Sequence, residues 1–249
     1  MLILTRPQAQ AADWLQRLRA LGIEAQSLPL IAIEPGDGAQ ARAAWAALPA
    51  AALALFVSPN AVANFFAHAS ASAAWPAQTL AACVGPGSAR ALADAGVPLA
   101  LIVQPSPDSE SLDSEHLWPL LAHRDWQGRL ALMLRGEGGR DWLAQRLREC
   151  GARTQDFHLY RRVCPQLEPA QQALLAEALR ERHVWLLSSA ESLVHLRTLA
   201  PAGFDFSGQR AIATHERIAA AARNLGFGQV VLARPDAGAV SAAHRMISL

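Results

Sequence analysis

The sequence contains no lysine, so all 22 of its basic residues are arginines. This excludes Schiff-base catalysis and the lysine of a P-loop, because both need an amine side chain. The formal net charge is only +1 and no block of the chain is strongly basic, which argues against general nucleic-acid binding. Any recognition of anions must therefore use arginines, backbone N–H groups or hydroxyls.

Cysteines and long apolar runs are also scarce. The three cysteines, Cys83, Cys150 and Cys164, lie far apart, with no CxxC and no paired Cys/His spacing. We therefore expect neither a zinc site nor a disulfide framework, and we expect Cys83, inside an apolar run, to lie in the core. The first residues do not resemble a signal peptide, and no run of about 18 apolar residues suggests a membrane span. These absences favour a soluble cytoplasmic protein.

Short apolar runs alternate along the chain with alanine-rich amphipathic stretches. Residues 2–4 are predicted as a strand, 7–21 as a helix that Gly22 ends, and 24–28 as a second strand. Further strands are predicted at 53–57, 80–84, 99–103, 130–134, 153–159, 184–187, 211–213 and 230–232. Strands separated by helices form parallel sheets, and about ten strands are too many for one such sheet. The pattern predicts an α/β fold with two parallel sheets.

An internal repeat supports this count of sheets. Residues 4–19 resemble residues 133–148, which places Arg6 opposite Arg135 at an offset of 129 residues. Residues 55–58 resemble 186–189 at an offset of 131, and residues 84–89 fall opposite 213–218. All strand–helix units share some likeness, but the consistent offsets favour a duplication.

The division into domains has two interpretations. Segments 28–35 and 157–165 are equivalent in the repeat, and both carry an extended, proline-marked pattern. If both are linkers, residues 1–30 and 166–249 form a discontinuous domain 1, and residues 36–158 form domain 2. Linkers 31–35 and 159–165 then run in opposite directions and pair as an antiparallel ribbon. A contiguous split near residue 128 is the alternative.

Candidate binding residues follow the predicted strands, because open α/β sheets bind ligands beyond the carboxyl ends of their strands. Hydroxyls, glycines and arginines at helix N-termini form an anion-binding rim there. The candidates are Arg6, Ser58, Gly85, Ser88, Ser109, Arg135, Gly136, Arg140, Ser188, Ser189, Thr214 and His215. In the alternative interpretation, the serines and His215 only cap helices, the glycines only form turns, and the arginines are solvated or salt-bridged.

Motifs of one known family stand in order along nearly the whole chain. They are Leu4–Pro7, Phe56–Val62, Val84–Ala89, Ser109–Leu112, Leu134–Asp141, Tyr160–Arg162 and Leu187–Ser189. In these motifs and their spacing, the chain resembles the uroporphyrinogen-III synthase family. The resemblance implies two flavodoxin-like parallel-sheet α/β domains, one of them discontinuous, joined by a two-stranded antiparallel linker.

The resemblance also implies an activity. The family closes hydroxymethylbilane, a linear tetrapyrrole with eight carboxylates, to uroporphyrinogen III, with inversion of ring D and loss of water. This is a cofactor-independent hydro-lyase reaction of haem and porphyrin biosynthesis that needs no metal. We expect a monomer whose partner is this small-molecule substrate, with no nucleic acid, no membrane and only a transient contact with the preceding pathway enzyme.

The resemblance also assigns site residues. Tyr160, the only tyrosine of the chain, receives an assisting catalytic role, and packing inside the linker is the alternative. The resemblance also places Ser58, Ser88, Ser188 and Thr214 beside the substrate. The family often has a hydroxyl residue directly after Thr214, where this chain has His215, so the assignment there stays open. Two other functions remain: a non-catalytic two-lobed module that binds anions or tetrapyrroles, and a flavodoxin-type redox or signalling domain.

Overall fold

The computed structural model describes residues 1–70, 74–106, 113–138 and 141–247. Two compact units share the chain. Unit 1 combines Met1–Ala32 with the chain from Val163 onward, and unit 2 is Ile33–Arg162. The sequence-based domain boundaries stay a prediction.

Strands and helices alternate through the described residues. The strands are β1 (Leu2–Leu4), β2 (Ala25–Ser27), β3 (Ala32–Pro35), β4 (Ala51–Phe56), β5 (Leu80–Cys83), β6 (Ile102–Val103), β7 (Leu130–Gly136), β8 (Arg153–Val163), β9 (Val184–Leu187), β10 (Arg210–Ala213) and β11 (Gln229–Leu232). The helices are α1 (Ala11–Ala20), α2 (Gly38–Ala47), α3 (Pro59–Phe66), α4 (Pro86–Asp94), α5 (Ser114–Leu121), α6 (Trp142–Glu149), α7 (Pro169–Arg180), α8 (Ala190–Leu199), α9 (Glu216–Leu225) and α10 (Ala237–Ile247). No helix within these ranges is both long enough and apolar enough to cross a membrane.

Unit 1 is built on a five-stranded parallel sheet in the order β2-β1-β9-β10-β11. Successive side chains of a strand point to opposite faces, so Leu2 and Leu4 pack with α1 and α10, while Ile3 packs with α7, α8 and α9. Because both faces are covered, β9 is apolar at every position and fully buried. In chain order within the unit the sheet reads 2-1-3-4-5, which is the doubly wound flavodoxin-like order.

Unit 2 is built on a six-stranded sheet in the order β3-β8-β7-β4-β5-β6. The pairs joining β8, β7, β4, β5 and β6 are all parallel. One face packs against α2, α3 and α4, and the other packs against α5 and α6. The first of these faces holds an aromatic cluster of Trp45, Phe56, Phe65, Phe66 and Trp75.

The two sheets share one arrangement with a different chain order. Read from β8, the unit 2 order β8-β7-β4-β5-β6 matches the unit 1 order β2-β1-β9-β10-β11 strand for strand. Each unit therefore takes its first two equivalent strands from one half of the chain and its last three from the other half. This topology agrees with the duplication that the sequence offsets favour.

Several predicted strands differ in their bounds, and two predicted elements change type over part of their length. The predicted strand at 99–103 is a strand only at Ile102–Val103, because Leu99–Leu101 forms a 3-10 turn directly after Pro98. The predicted helix at 7–21 begins with a 3-10 turn at Gln8–Gln10 and becomes α-helical at Ala11. Its C-cap, Leu21, is 39% exposed, and Gly22 follows with φ +73°, a left-handed conformation that glycine adopts without strain.

Candidate functional site

Each unit has one place where the strand order reverses, which is where doubly wound sheets bind their ligands. In unit 1 the reversal lies between β1 and β9, and in unit 2 it lies between β7 and β4. The residues directly beyond these strands are Arg6, Ser188 and Ser189 in unit 1 and Ser58 in unit 2, while Arg135 and Gly136 end β7. The structure therefore brings half of the predicted binding residues to the two reversals.

In unit 2, Ser58 and Tyr160 form a direct side-chain contact. The Ser58 Oγ and Tyr160 Oη atoms are 2.8 Å apart, and either can donate the hydrogen bond. The same Oγ accepts the Ala61 N–H at 3.2 Å and caps the N-terminus of α3. The Tyr160 side chain is 2% exposed, so its ring belongs to the core while its hydroxyl has a polar partner. Both interpretations of Ser58, helix cap and site residue, agree with this geometry.

A β-bulge directs Tyr160 into this position. Arg135 pairs with His158 and Gly136 pairs with Tyr160, so Leu159 is an extra residue on β8. Without the bulge, Tyr160 would point to the face opposite Leu159. With it, Leu159 and Tyr160 both pack into the core that α2, α3 and α4 cover.

Gly136 lies against the Tyr160 ring. A Cβ atom at Gly136 would stand 2.7 Å from the ring Cε2 and 2.8 Å from Cζ, closer than real Cβ contacts. The next residue, Glu137, donates its backbone N–H to the Tyr160 carbonyl at 2.9 Å. Glycine at 136 is therefore required by the ring, and its predicted role in binding stays a prediction.

Arg135 is held by two carboxylates. Its Nη2 lies 2.5 Å from Asp156 and 3.3 Å from Asp141, and its side chain is 14% exposed. Asp141 also pairs with Arg148. The salt-bridged alternative for Arg135 is thus realised, and its charge is largely compensated inside unit 2.

Arg6 has different surroundings. Its guanidinium carbon lies 4.5 Å from the centre of the Trp14 ring, a cation–π contact. Among the described residues, Arg6 forms no ion pair, and its Nε, like that of Arg135, is buried with no hydrogen-bond partner. Burial lowers the pKa of Arg6 to about 10, so the side chain is still charged at neutral pH. Within that part of the chain, Arg6 is a cation without a compensating anion.

The other predicted residues of unit 1 act mainly at helix ends. Ser189 Oγ accepts the Glu191 N–H at 3.2 Å and caps α8. The exposed His215 accepts the Arg217 N–H through Nδ1 at 3.1 Å and caps α9. Thr214 and Ser188 are half-buried.

In unit 2, Gly85 is the N-cap residue of α4, and its carbonyl accepts the Ser88 N–H at 3.0 Å. Ser88 is 3% exposed, so its side chain belongs to the interior of the unit. The predicted residues Ser109 and Arg140 lie outside the described residues. Cys83 is fully buried, as predicted, and burial raises the pKa of its thiol to about 11.

Four residues of this region were missed by sequence reasoning. They are Thr5, whose hydroxyl donates to the Leu186 carbonyl at 2.7 Å, and Trp14, Asp141 and Asp156, which contact the two arginines. Asp141 ends the motif Leu134–Asp141, whereas Asp156 lies outside every motif, and the repeat offset places no acidic residue opposite either carboxylate. No cluster of three or more His, Cys, Asp or Glu residues in the described ranges is placed to hold a metal ion.

Comparison with known proteins adds the family. A family model described as uroporphyrinogen-III synthase HemD matches residues 12–242. The uroporphyrinogen-III synthase of Escherichia coli (strain K12) is 30% identical, over 93% of this chain and 94% of that protein. The chain belongs to the uroporphyrinogen-III synthase family.

Other members of the uroporphyrinogen-III synthase family agree. The synthase of Salmonella typhimurium (strain LT2) is 31% identical over 93% of this chain and 94% of that protein. The solved Helicobacter pylori uroporphyrinogen-III synthetase has a TM-score of 0.65 at 15% identity, covering 98% of both chains. A mutant uroporphyrinogen III synthase from Thermus thermophilus has a TM-score of 0.61 at 20% identity, covering 99% of this chain and 98% of its own. The family resemblance and the two-sheet α/β fold are thus confirmed, and the chain is an enzyme of porphyrin biosynthesis.

Proposed function

We propose that the chain cyclises hydroxymethylbilane to uroporphyrinogen III. The C–O bond of the ring A hydroxymethyl group breaks, and the hydroxyl leaves as water after gaining a proton. The substituted α-carbon of ring D then bonds to the ring A methylene carbon to give a spiro intermediate. The bond from that α-carbon to the methylene bridge of ring C breaks and re-forms at the unsubstituted α-carbon of ring D, which loses its proton, so ring D is inverted. The observation that carries the proposal is the Tyr160 hydroxyl, held by Ser58 at 2.8 Å beside the strand-order reversal of unit 2.

Tyr160 assists the departure of the hydroxyl. Its phenol can donate a hydrogen bond to the leaving oxygen, and general acid assistance of this kind is worth about 10²–10⁴-fold in rate. If Ser58 donates to the phenol oxygen, the Tyr160 O–H stays free for the substrate. The Ser58 hydroxyl then also stabilises the negative charge that develops on the phenol oxygen as its proton moves. The N-terminus of α3, which Ser58 caps, favours the same charge.

Substrate binding uses the residues at the strand ends. Arg6 is a cation available for a carboxylate in unit 1, and charged hydrogen bonds of this type contribute about 1.5–3 kcal/mol. The hydroxyls of Ser188, Ser189 and Thr214 and the polar groups of His215 and Gly85 are further binding groups. Ser88, whose side chain is buried, is proposed on its sequence position alone. Ser109 and Arg140 are proposed on their sequence positions alone.

The family resemblance is the basis for the proposed reaction class, cofactor requirement, compartment, oligomeric state and partners. We propose a hydro-lyase that needs no metal or organic cofactor, and a cytoplasmic monomer. Its partner is the linear tetrapyrrole substrate, with a transient contact to the enzyme that supplies this unstable molecule.

The experiment is an isomer analysis. Freshly made hydroxymethylbilane is incubated with the purified protein, and the oxidised products are separated by chromatography. Without an enzyme the bilane closes to the type I isomer, so we expect type III in excess with the protein present. A product mixture equal to that of the protein-free reaction contradicts the proposal. If the protein gives that mixture but still binds the tetrapyrrole, the non-catalytic module is supported instead.

A further inference from the structure

Two arginines that are equivalent in the repeat have opposite surroundings. Arg135 forms ion pairs with Asp141 and Asp156. Within the residues that the structure describes, Arg6 forms none and stacks on Trp14 instead. As far as the described residues go, the two copies of the repeat therefore carry one compensated and one uncompensated guanidinium at corresponding strand ends.

Strand pairing shows which residue replaces the missing carboxylate. On β7 and β8, Met133 pairs with Asp156, and on β1 and β2 the equivalent Leu4 pairs with Ser27. Ser27 thus occupies in unit 1 the position of Asp156 in unit 2. The second carboxylate, Asp141, has Ala12 as its equivalent at the same offset of 129 residues.

Among the described residues, the replacement leaves the buried Ser27 Oγ without a hydrogen-bond partner. The buried Nε atoms of Arg6 and Arg135 are both unpaired there, so the two arginines differ in the carboxylates that contact Nη2 of Arg135. Buried polar groups are normally satisfied, and unsatisfied ones in a native structure call for a water, an ion or a ligand. The Trp14 ring attracts the guanidinium but offers no hydrogen-bond acceptor of the strength of a carboxylate.

We propose that Arg6 and Ser27 bind one carboxylate group of an anionic ligand, in the position that the Asp156 carboxylate occupies in unit 2. Arg6 donates N–H groups, Ser27 donates its hydroxyl, and Trp14 orients the guanidinium. Arg135 is then a structural residue and not a substrate ligand. Only the identity of the ligand, a polycarboxylate tetrapyrrole, rests on the proposed function.

The test replaces the ligand carboxylate with a protein carboxylate. Uroporphyrin III, a stable octacarboxylate, serves as the probe, and its affinity is measured by fluorescence titration. The variants are S27D, which recreates the Asp156 arrangement, R6M, and the double variant. R17M is the matched control, because Arg17 is an exposed arginine of the same unit that pairs with Asp13.

We expect S27D and R6M each to weaken binding about tenfold or more, and R17M to leave it unchanged. S27D should raise the unfolding temperature in the wild-type background and lower it in the R6M background, where the introduced carboxylate has no cation. S27D in the wild-type background keeps the test decisive if R6M folds poorly, because its loss of affinity and its gain in unfolding temperature are both measured with Arg6 present.

Wild-type affinity in both R6M and S27D overturns the proposal, and so does an S27D protein whose stability does not depend on Arg6. The outcome is independent of the isomer assay. A protein that binds uroporphyrin through Arg6 but yields the type I isomer contradicts the proposed function and leaves this inference intact.

Discussion

The hydroxyl of Ser58 is the most informative single group to remove. It makes two hydrogen bonds, one to Tyr160 and one to the Ala61 N–H that it caps. Losing an N-cap to alanine costs about 1 kcal/mol, whereas glycine costs only a few tenths. Losing a hydrogen bond to a group that becomes charged in the transition state costs about 1.5 kcal/mol, or roughly tenfold in rate. Comparing alanine with glycine at position 58 therefore separates the cost of the lost helix cap from the effect of the lost Tyr160 hydrogen bond on the rate.

We predict that S58A and S58G both lower kcat about tenfold with little change in KM, and that S58A is less stable than S58G because it alone loses the full value of the cap. S58T keeps the hydroxyl and should retain most of the rate. D37A is the matched control in the same unit, because Asp37 caps α2 through the Ala39 N–H without contacting Tyr160. It should lose stability like S58A and keep its full kcat.

A double-mutant cycle with Y160F isolates the interaction. If Ser58 acts through Tyr160, S58A has no further effect on kcat once the phenol is gone. Because Tyr160 is the only tyrosine, labelling tyrosine with ¹³C at Cζ gives one NMR signal that reports this hydroxyl. The signal should shift in S58A and stay in place in D37A. Additive losses of rate in the cycle, or an unshifted signal in S58A, would refute the reasoning.

Three further predictions concern other parts of the chain. G136A should lower kcat about tenfold or more by displacing the Tyr160 ring from a Cβ only 2.7 Å away, and the labelled tyrosine signal should shift with it. Burial, then the N-terminal amine and Arg210, lower the pKa of His244. The unfolded chain therefore takes up this proton first below about pH 6.5, so urea titrations from pH 7 to 5 should show a loss of stability that H244Q reduces. With its thiol pKa raised to about 11, buried Cys83 should resist iodoacetamide at pH 8 while the exposed Cys150 reacts, as peptide mass analysis would show. The first prediction is contradicted if G136A keeps the wild-type rate. The second is contradicted if the difference in stability between H244Q and wild type does not change with pH, and the third if the two cysteines are alkylated equally.

Sequence reasoning worked best where local pattern and final environment coincide. The strand at 184–187 was predicted with its observed bounds, because a strand covered on both faces reads as an unbroken apolar run. The β-bulge at Leu159 could not be predicted, because it depends on pairing with Arg135 and Gly136 on a neighbouring strand. Because the bulge is not visible in the sequence, the strand pattern does not predict that the Tyr160 side chain points toward Ser58.

Arg6 and Arg135 show that the electrostatic surroundings of a residue also could not be predicted from the sequence. Arg6 and Arg135 stand in equivalent positions, and the repeat alone predicts one shared role for them. Their difference depends on the adjacent strand, where an aspartate in unit 2 corresponds to a serine in unit 1. A residue that decides the charge of a site can thus lie outside every motif that marks the site.

The exchange of strands between the two halves of the chain explains why these contacts are long-range. Ser58 belongs to the first half and Tyr160 to the second, 102 residues apart, and yet they meet in one unit. Arg6 likewise follows a strand that pairs with β9 of the second half. Because each unit combines strands from both halves, a substitution in one half changes the surroundings of its partners in the other. Within the described ranges, the two strand-order reversals differ accordingly: unit 1 has a cation with no ion pair, and unit 2 has a phenol oriented by a serine.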